Sequence, residues 1–392
     1  MSGEVVQRTP ARRRHLPTQC RAGQSRHRAR PTDVLSLHDG VPLRQATVRL
    51  DSAYPAHMTD TSDPHDTAPD TAARDALEAR AYDAFDNGQL KQASALFGEL
   101  TTLAPEVPYL HYMRGLAHKY LRDWPAALQH ALRAQALQGS ADDASAWNAG
   151  IAATALGDWA EARRQWTRCG IGIPEGDGPI EHDFGLVSIR LNPWGNGETV
   201  FARRIDVVRA RLLNVPLPET GHRLFDIVLH DGAKTGERAL DDGMVPVFNA
   251  LQILQRSDHR TFVAFIRCPS ADDLDELQAA ELPGIGYVED WTASIVTLCL
   301  RCSYGVGHRR DDAADTDHDE GGASNDDWQV ERNLGIGAQG KAAVERLLAN
   351  WVAAGPGRSV DAIESPPCEE SAPEEGTVWW RGVGDDEDES EA

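Results

Sequence analysis

Two cysteines and two histidines in the second half of this 392-residue chain have the types and spacing of metal ligands. Cys299 and Cys302 are separated by two residues, so both thiolates can reach one ion from a tight turn, and His308 and His318 follow them. Zinc takes four such ligands in a tetrahedral shell, which would leave no open position for catalysis. A structural zinc site is one interpretation. The alternatives are cysteines that act as small buried apolar residues, or a redox-active pair.

A second polar group is the sequence His230-Asp231-Gly232, with His222 shortly before it. Histidine and aspartate at the end of a strand can serve as acid and base. The other interpretation is a turn, in which Asp231 and Gly232 supply the backbone geometry. No nucleophile motif of the Gly-x-Ser-x-Gly type accompanies these residues. An enzyme of unknown reaction is therefore kept as an alternative function.

Three glycines near the end of the chain match the spacing of a phosphate-binding loop. They are Gly335, Gly337 and Gly340, and they precede a stretch with helical spacing of apolar residues. No complete βαβ unit accompanies them, so the match is weak evidence for a phosphate-binding loop.

The net charge of −22 restricts the classes of partner. So acidic a chain repels phosphate backbones, and we expect no nucleic-acid binding by its folded part. Its apolar stretches, such as 295–300, are far shorter than the roughly 20 residues of a membrane span, so we expect no membrane insertion. Six cysteines are too few for a disulfide scaffold, which favours a reducing, cytoplasmic setting.

The elements that position these residues begin with a repeat of 34 or 35 residues. Ala93, Ala127 and Ala162 mark it, and each follows a break of the kind found between paired helices. Small residues recur upstream, at Ala81, Gly115 and Gly150. The pattern predicts three helix pairs: 74–87 with 90–103, 108–121 with 124–137, and 143–156 with 159–169.

This pattern resembles the tetratricopeptide repeat (TPR), in which small residues let antiparallel helices pack closely. The resemblance implies a stack with a concave groove that binds a protein or peptide. The family's groove positions fall here on Glu78, Tyr82, Tyr112, Leu116, Lys119, Tyr120, Trp147 and Ile151. Lys119 and Asn148 resemble parts of the clamp with which chaperone-binding members hold a terminal carboxylate. The alternative is that Tyr112 and Trp147 only pack against the neighbouring repeat.

The second half of the chain has a sequence pattern that predicts strands as well as helices. Short stretches rich in β-branched residues, separated by Gly, Pro and Asp, are typical of strands and predict a small barrel over 186–250. From 261 the order of strands and helices, with helices over Ala271–Glu281 and Gly340–Ala353, predicts a ferredoxin-like split β-α-β unit.

The chain is therefore predicted to be multidomain, with an all-α TPR-like helical repeat array followed by an α+β domain. The expected segments are a disordered leader over 1–73, the repeats over 74–170, a linker over 171–181, the α+β domain over 182–355 with an acidic insert over 305–327, and a disordered acidic tail over 356–392. Within the leader, 1–57 is either a basic arm or a mis-annotated start ahead of Met58. Trp379-Trp380 is the only apolar point that we expect in the tail.

These observations predict a non-enzymatic adaptor that binds a protein or peptide through the repeat groove. The alternatives are an enzyme in the α+β domain to which the repeats recruit substrate, and an interaction protein whose insert is fixed by zinc.

Overall fold

The computed structural model describes residues 4–8, 68–138, 143–240, 243–299 and 328–381. Cys302, His308 and His318 lie outside these residues, as does the predicted insert 305–327, and the side chain of Cys299 is not described. The zinc site therefore stays a prediction. No helix in the described ranges has the length and apolar character needed to cross a membrane.

Six helices form the array in three antiparallel pairs. They are α1 Ala68–Asp86, α2 Leu90–Leu103, α3 Pro108–Tyr120, α4 Trp124–Gln138, α5 Asp143–Leu156 and α6 Trp159–Arg168. The predicted helices are confirmed, although α1 begins six residues earlier than expected. Gly88 and Gly157 follow the first helix of their pairs and have a left-handed backbone conformation, with φ 71° in both cases. Glycine adopts this conformation without steric cost. Asp158 caps α6 by accepting a hydrogen bond from the backbone N–H of Glu161 at 3.1 Å.

Small residues between the helices allow the close packing that the repeat requires. A Cβ on Gly150 would lie 2.5 Å from the ring of Trp166, and a Cβ on Gly115 would lie 3.3 Å from the backbone of α4. Ala93 and Ala162 are buried in the same core. That core also includes Val208, Leu229 and Leu251, which belong to the following domain. The array and the barrel therefore share one apolar interior.

Five strands after the array close into a small barrel. They are β2 Leu186–Leu191, β3 Glu198–Arg204, β4 Arg209–Leu212, β5 Ile227–Leu240 and β6 Gly243–Gln255. Consecutive strands pair antiparallel, and β6 returns to pair parallel with β2, so each strand has a neighbour on both sides. Ten buried apolar residues, among them Ile189, Leu212 and Val228, fill the interior. The predicted barrel is confirmed, and its last strand extends to residue 255.

A strand near the start of the chain extends the barrel sheet. β1 (Glu4–Arg8) pairs parallel with β3 and antiparallel with β9 (Ile295–Cys299). The expectation of a disordered leader over 1–73 is therefore wrong for residues 4–8 and for 68–73, which lie in α1. Local composition indicates disorder for the leader, whereas β1 is held by a partner strand almost 300 residues away.

The last part of the domain is a ferredoxin-like unit. Its elements are β7 Arg260–Arg267, α7 Ala271–Ala279, β8 Ile285–Asp290, β10 Glu331–Ala338, α9 Lys341–Ala354 and β11 Ser359–Glu364, with the short helix α8 Trp291–Ser294 after β8. The strand order β11-β7-β10-β8 is antiparallel throughout, which confirms the predicted arrangement. Gly335 and Gly337 lie inside β10, where a Cβ would meet Trp291 or Leu224. The absence of a side chain at these glycines lets Trp291 and Leu224 pack against the strand, so the phosphate-loop interpretation is wrong.

The predicted tail, 356–392, is partly ordered. Residues 359–364 form β11, and residues 365–381, without regular secondary structure beyond turns, return to the array. Trp379 is only 4% exposed and belongs to the core shared by the array and the barrel. The expectation of a disordered tail is therefore wrong as far as residue 381.

Candidate protein-binding groove of the helical array

One end of the array groove holds a buried ion pair with the barrel. The ammonium of Lys119, on α3, lies 2.7 Å from a carboxylate oxygen of Asp231, on β5. Both side chains are almost fully buried, at 3% and 5% exposure. The Tyr120 hydroxyl donates to the other carboxylate oxygen at 3.2 Å. The pKa of Tyr120 is raised well above its ordinary value, chiefly by burial and then by the charge of Asp231. The pair therefore joins the two domains at a point closed to solvent.

The two residues that resemble a carboxylate clamp are already engaged. Lys119 donates to Asn148 at 3.1 Å as well as to Asp231. A carboxylate of the protein itself thus binds the lysine that resembles part of a clamp for a terminal carboxylate. The resemblance could not reveal this, because Asp231 lies 112 residues further along the chain.

The backbone of β5 approaches the array closely at Gly232. A Cβ on this glycine would lie 1.6 Å from the indole nitrogen of Trp147, on α5. Trp147 in turn packs edge-on against Trp166, with ring centroids 5.3 Å apart. This packing agrees with the alternative in which Trp147 contacts neighbouring structure, and it places the ring between two elements rather than on an open surface.

Two adjacent tryptophans of the tail close the same end of the groove. The Trp380 ring stacks on Tyr120 with centroids 4.8 Å apart and an interplanar angle of 15°, and it also packs on Phe85 at 5.3 Å. Trp379 makes edge contacts with Tyr120 at 5.3 Å and with Trp194 at 5.4 Å. The expected apolar point of the tail is thus an aromatic anchor between the ends of α1 and α3.

Polar contacts fix the path of the tail along the helix turns. The Gly376 N–H donates to the Gly88 carbonyl at 3.1 Å, and Asn249 donates to the Trp379 carbonyl at 3.0 Å. Arg381 is paired with Asp86 at the end of α1. The tail therefore contacts both the array and the barrel, and it binds across the junction between them.

The other end of the groove is only partly covered by the described residues. Glu78, Tyr82, Tyr112 and Leu116 are half-buried there, and the Tyr109 hydroxyl donates to Glu78 at 2.9 Å. A cavity of about 60 Å³ opens between α3 and α5, lined by Tyr112, Leu116, Lys119, Tyr120, Ala144, Trp147, Asn148, Asp231, Gly232 and Ala233. A single small apolar side chain could enter this space.

The eight predicted groove residues thus fall into two groups. Glu78, Tyr82, Tyr112 and Leu116 line the open end, which we call the open groove. Lys119, Tyr120 and Ile151 are buried, and Trp147 lies at the boundary. Sequence reasoning missed Asp231 and Trp380 as contacts of the groove. The paired tryptophans in an acidic stretch were the available signal, whereas Asp231 offered none.

The histidines considered as acid and base are buried and neutral. Burial lowers the pKa of His222 and of His230 to about 4 in each case. His230 contacts the carbonyl oxygen of Asp231 through Nδ1 at 2.7 Å, while the Asp231 carboxylate faces Lys119. Residues 230–232 also lie within β5, so the interpretation as a hairpin turn is wrong. Across the described parts of the chain, no group of three or more metal-ligating side chains comes together.

The solved structures that are similar to this chain include TPR domains. No family model matches the chain, and no curated protein matches it. Similar solved structures include the second TPR domain of Spaghetti (RPAP3) bound to an HSP90 peptide, at 19% identity over 24% of this chain and 88% of that one, with a TM-score of 0.23. The yeast Sti1 TPR2B domain in a pHsp70 complex gives 16% identity, 25% and 78% coverage, and a TM-score of 0.24.

A CopN-Scc3 complex is also similar, at 16% identity over 30% of this chain and 72% of that one, with a TM-score of 0.25. Identities and TM-scores this low transfer no function. The array is TPR-like because its own sequence repeat, its three helix pairs and their small-residue contacts have that form.

Proposed function

We propose that this chain is a non-enzymatic adaptor that binds another protein or a peptide through the open groove. The observation that carries the proposal is a row of half-buried Tyr82, Tyr112 and Leu116 beside a cavity between α3 and α5. Aromatic side chains bury a large area with few rotatable bonds, which makes them effective anchors at interfaces. The chain would act in a reducing cytoplasm, which agrees with the thiols of Cys268 and Cys368, neither of which forms a disulfide within the described residues.

The expected partner segment differs from a peptide held by its terminal carboxylate. Lys119 already donates to the internal carboxylate of Asp231 and to the side-chain oxygen of Asn148, so its charge is balanced within the protein. The partner would instead place an apolar side chain in the cavity next to Tyr112, with its backbone along the first helices of the pairs. Such a ligand is recognised by apolar contact and shape rather than by a charge at its end.

A peptide library tests this proposal on the full-length protein. Peptides selected for binding should lose about tenfold or more in affinity when Tyr112→Glu introduces a charge into the groove, because removal of an aromatic anchor commonly costs more than 1 kcal/mol. Leu103→Glu is the matched control, since Leu103 is 65% exposed at the end of α2. Circular dichroism establishes that both variants fold.

Two results would contradict the proposal. One is the failure of the library to yield any specific peptide. The other is selected peptides that bind Tyr112→Glu as tightly as wild type, which would place the binding surface elsewhere. The enzyme alternative has no assembled acid–base pair within the described ranges, because His222 and His230 are buried and Asp231 is engaged by Lys119.

A further inference from the structure

A second cavity lies where the barrel, the ferredoxin-like unit and the tail meet. Its volume is about 260 Å³, and its lining is Arg223, Arg260, Thr261, Ser365, Pro366, Pro367 and Cys368. This is slightly below the range of about 300–1,000 Å³ for pockets that hold drug-sized molecules, so it suits a small ligand. It is distinct from the open groove.

Positive charge predominates at this cavity. Neither Arg223 nor Arg260 forms an ion pair within the described part of the chain. The nearby Asp226 is paired with a third arginine, Arg256, at 3.1 Å, and also accepts from the Ser257 N–H. Asp258, two residues before Arg260, is exposed and paired with His259. Two guanidinium groups without a paired carboxylate among the described residues therefore line the cavity.

Two donors of the cavity lack a protein partner. Thr261 is 3% exposed, and its hydroxyl has no hydrogen-bond partner among the described residues. The Nε–H of Arg223 is buried and likewise unpartnered, although another nitrogen of that guanidinium donates to the Ser257 carbonyl at 3.3 Å. Buried polar groups are rarely left without a partner because their desolvation is costly, so their position next to a cavity indicates a ligand.

We propose that this cavity binds a tetrahedral oxyanion, the phosphate group of a small phosphorylated molecule or free phosphate. Guanidinium groups match phosphate oxygens with parallel charge-assisted hydrogen bonds. The Thr261 hydroxyl supplies a further donor from the floor of the cavity, which suits a third oxygen that a carboxylate does not have. Because Ser365–Cys368 lead into the tail, bound oxyanion would also hold the start of the tail against the domain.

The architecture explains why the donors converge. Arg260 and Thr261 begin β7, where they pair with Ala338 and Gly337 of β10. The Arg223 backbone N–H donates to Asp226 at 2.9 Å, which fixes the loop between β4 and β5. The Cys368 thiol donates to the His222 carbonyl at 3.3 Å, which fixes the tail opposite. Three separate elements thus present the cavity walls.

Calorimetric titration of the full-length protein with inorganic phosphate, in a chloride buffer of low ionic strength, tests the site. We expect saturable binding that weakens about tenfold or more in Arg260→Ala and severalfold in Thr261→Val, because each loses a hydrogen bond to a charged ligand. Arg346→Ala, at an exposed arginine on α9, is the matched control and should bind as wild type. Thr261→Val keeps the β-branched shape, so the strand should remain intact.

Further ligands distinguish the sources of the oxyanion. Glycerol 2-phosphate that binds more tightly than phosphate would identify a phosphate ester, whereas binding of inorganic phosphate alone would identify the free ion. Absence of saturable binding, or equal binding by wild type and both site variants, would overturn the proposal. Acetate that binds as tightly as phosphate would also overturn it, because the site would then recognise a carboxylate.

Discussion

At the scale of single residues, the coupling between the array and the barrel is concentrated in Lys119 and Asp231. Two buried charges lose their hydration, and their attraction offsets that loss only when the remaining hydrogen bonds are made. Here Asn148, Tyr120 and the Gly232 N–H complete the set. The pair therefore specifies how the two domains meet more than it adds to overall stability.

Loss of one partner of this pair should be costly. We expect Lys119→Ala to lower the free energy of unfolding by about 3–5 kcal/mol, because it leaves the Asp231 carboxylate buried without a counter-charge. Urea unfolding measures the loss. Arg133→Ala is the control: its partner is the exposed Glu106, at 3.2 Å, and such surface pairs contribute about 0–1 kcal/mol. Equal effects of the two substitutions would show that solvent reaches Lys119.

Three histidines lie together between α3 and α4. His111 and His130 have their Nδ1 atoms 3.3 Å apart, and the rings of His118 and His130 stack with centroids 5.7 Å apart. Burial, then Arg114 and the other two histidines, lowers the pKa of His130 to about 4, with a smaller opposing effect of Asp123. The stack therefore requires that His130 be neutral.

The stability of the array should fall in acid because of this stack. The pKa of His130 is lower in the folded chain than its ordinary value of 6.5, so the unfolded chain binds a proton first and stability declines below about pH 6.5. His130→Gln should reduce the loss of unfolding free energy between about pH 7 and pH 5 by about 1–2 kcal/mol. Urea unfolding at the two pH values measures it. An unchanged pH dependence would mean that His130 does not titrate abnormally.

Zinc binding by Cys299, Cys302, His308 and His318 remains a prediction at the residue scale. Protein purified without a metal-binding tag should contain about one zinc per chain if four ligands close a structural site. Elemental analysis of wild type beside Cys299→Ser/Cys302→Ser measures this. Zinc that is present in wild type and absent from the double variant would establish the site. Wild type without zinc would mean that the cysteines bind no metal and only pack against neighbouring residues.

At the scale of elements, the sequence predicts the helices of the array well. Each helix after the first begins within a residue of its predicted start, because every pair is stabilised by local packing and ends at a turn signal such as Gly88 or Gly157. The ferredoxin-like unit was also predictable, since its helix and strand periods alternate. The helix and strand patterns depend on neighbours close in sequence, although the strands themselves pair with distant ones.

Elements fixed by distant partners were not predictable in the same way. The closure of the barrel was expected, but its register depends on the parallel pairing of β6 with β2, which no local pattern specifies. The Pro- and Glu-rich composition of the tail indicates disorder, whereas Trp379 and Trp380 bind residues on α1, α3 and the barrel. The repeat predicts which residues line the candidate groove. It does not predict that Asp231 and Trp380 close one end of that groove.

The tail should contribute substantially to stability. We expect Trp379→Ala to lower the free energy of unfolding by about 3–5 kcal/mol, since it removes a buried ring from the shared core. Met244→Ala is the control, because Met244 is 56% exposed and surface substitutions usually stay within about 0.5 kcal/mol. Urea unfolding followed by circular dichroism measures both. A loss as small as that of the control would mean that the tail packs only loosely on the array.

At the scale of the whole molecule, a net charge of −22 opposes compactness. Like charges at the surface repel one another, which keeps the chain soluble and also lowers the stability of the folded state. Buried pairs such as Lys119–Asp231 are little affected by salt. The surface charges therefore determine how the molecule responds to ionic strength.

Stability should accordingly rise with sodium chloride. Increasing the concentration from about 0.01 M to about 1 M shortens the screening length from about 30 Å to about 3 Å, which weakens surface repulsion. Urea unfolding, in which the denaturant is itself uncharged, measures the change. A variant in which Asp385–Glu389 are replaced by amides should show a smaller rise. A fall in stability with salt would mean that favourable surface pairs outweigh the repulsion.

The contact between Arg381 and Asp86 joins residues 295 positions apart. During synthesis on the ribosome, the first helix pair emerges long before the segment that packs on Phe85 and pairs with Asp86. Its final packing must wait until almost the whole chain has been made. A premature stop codon between residues 169 and 376 would remove that segment while leaving every helix of the array encoded, and the shortened product would expose Phe85 and Tyr120 to the quality-control machinery of the cell.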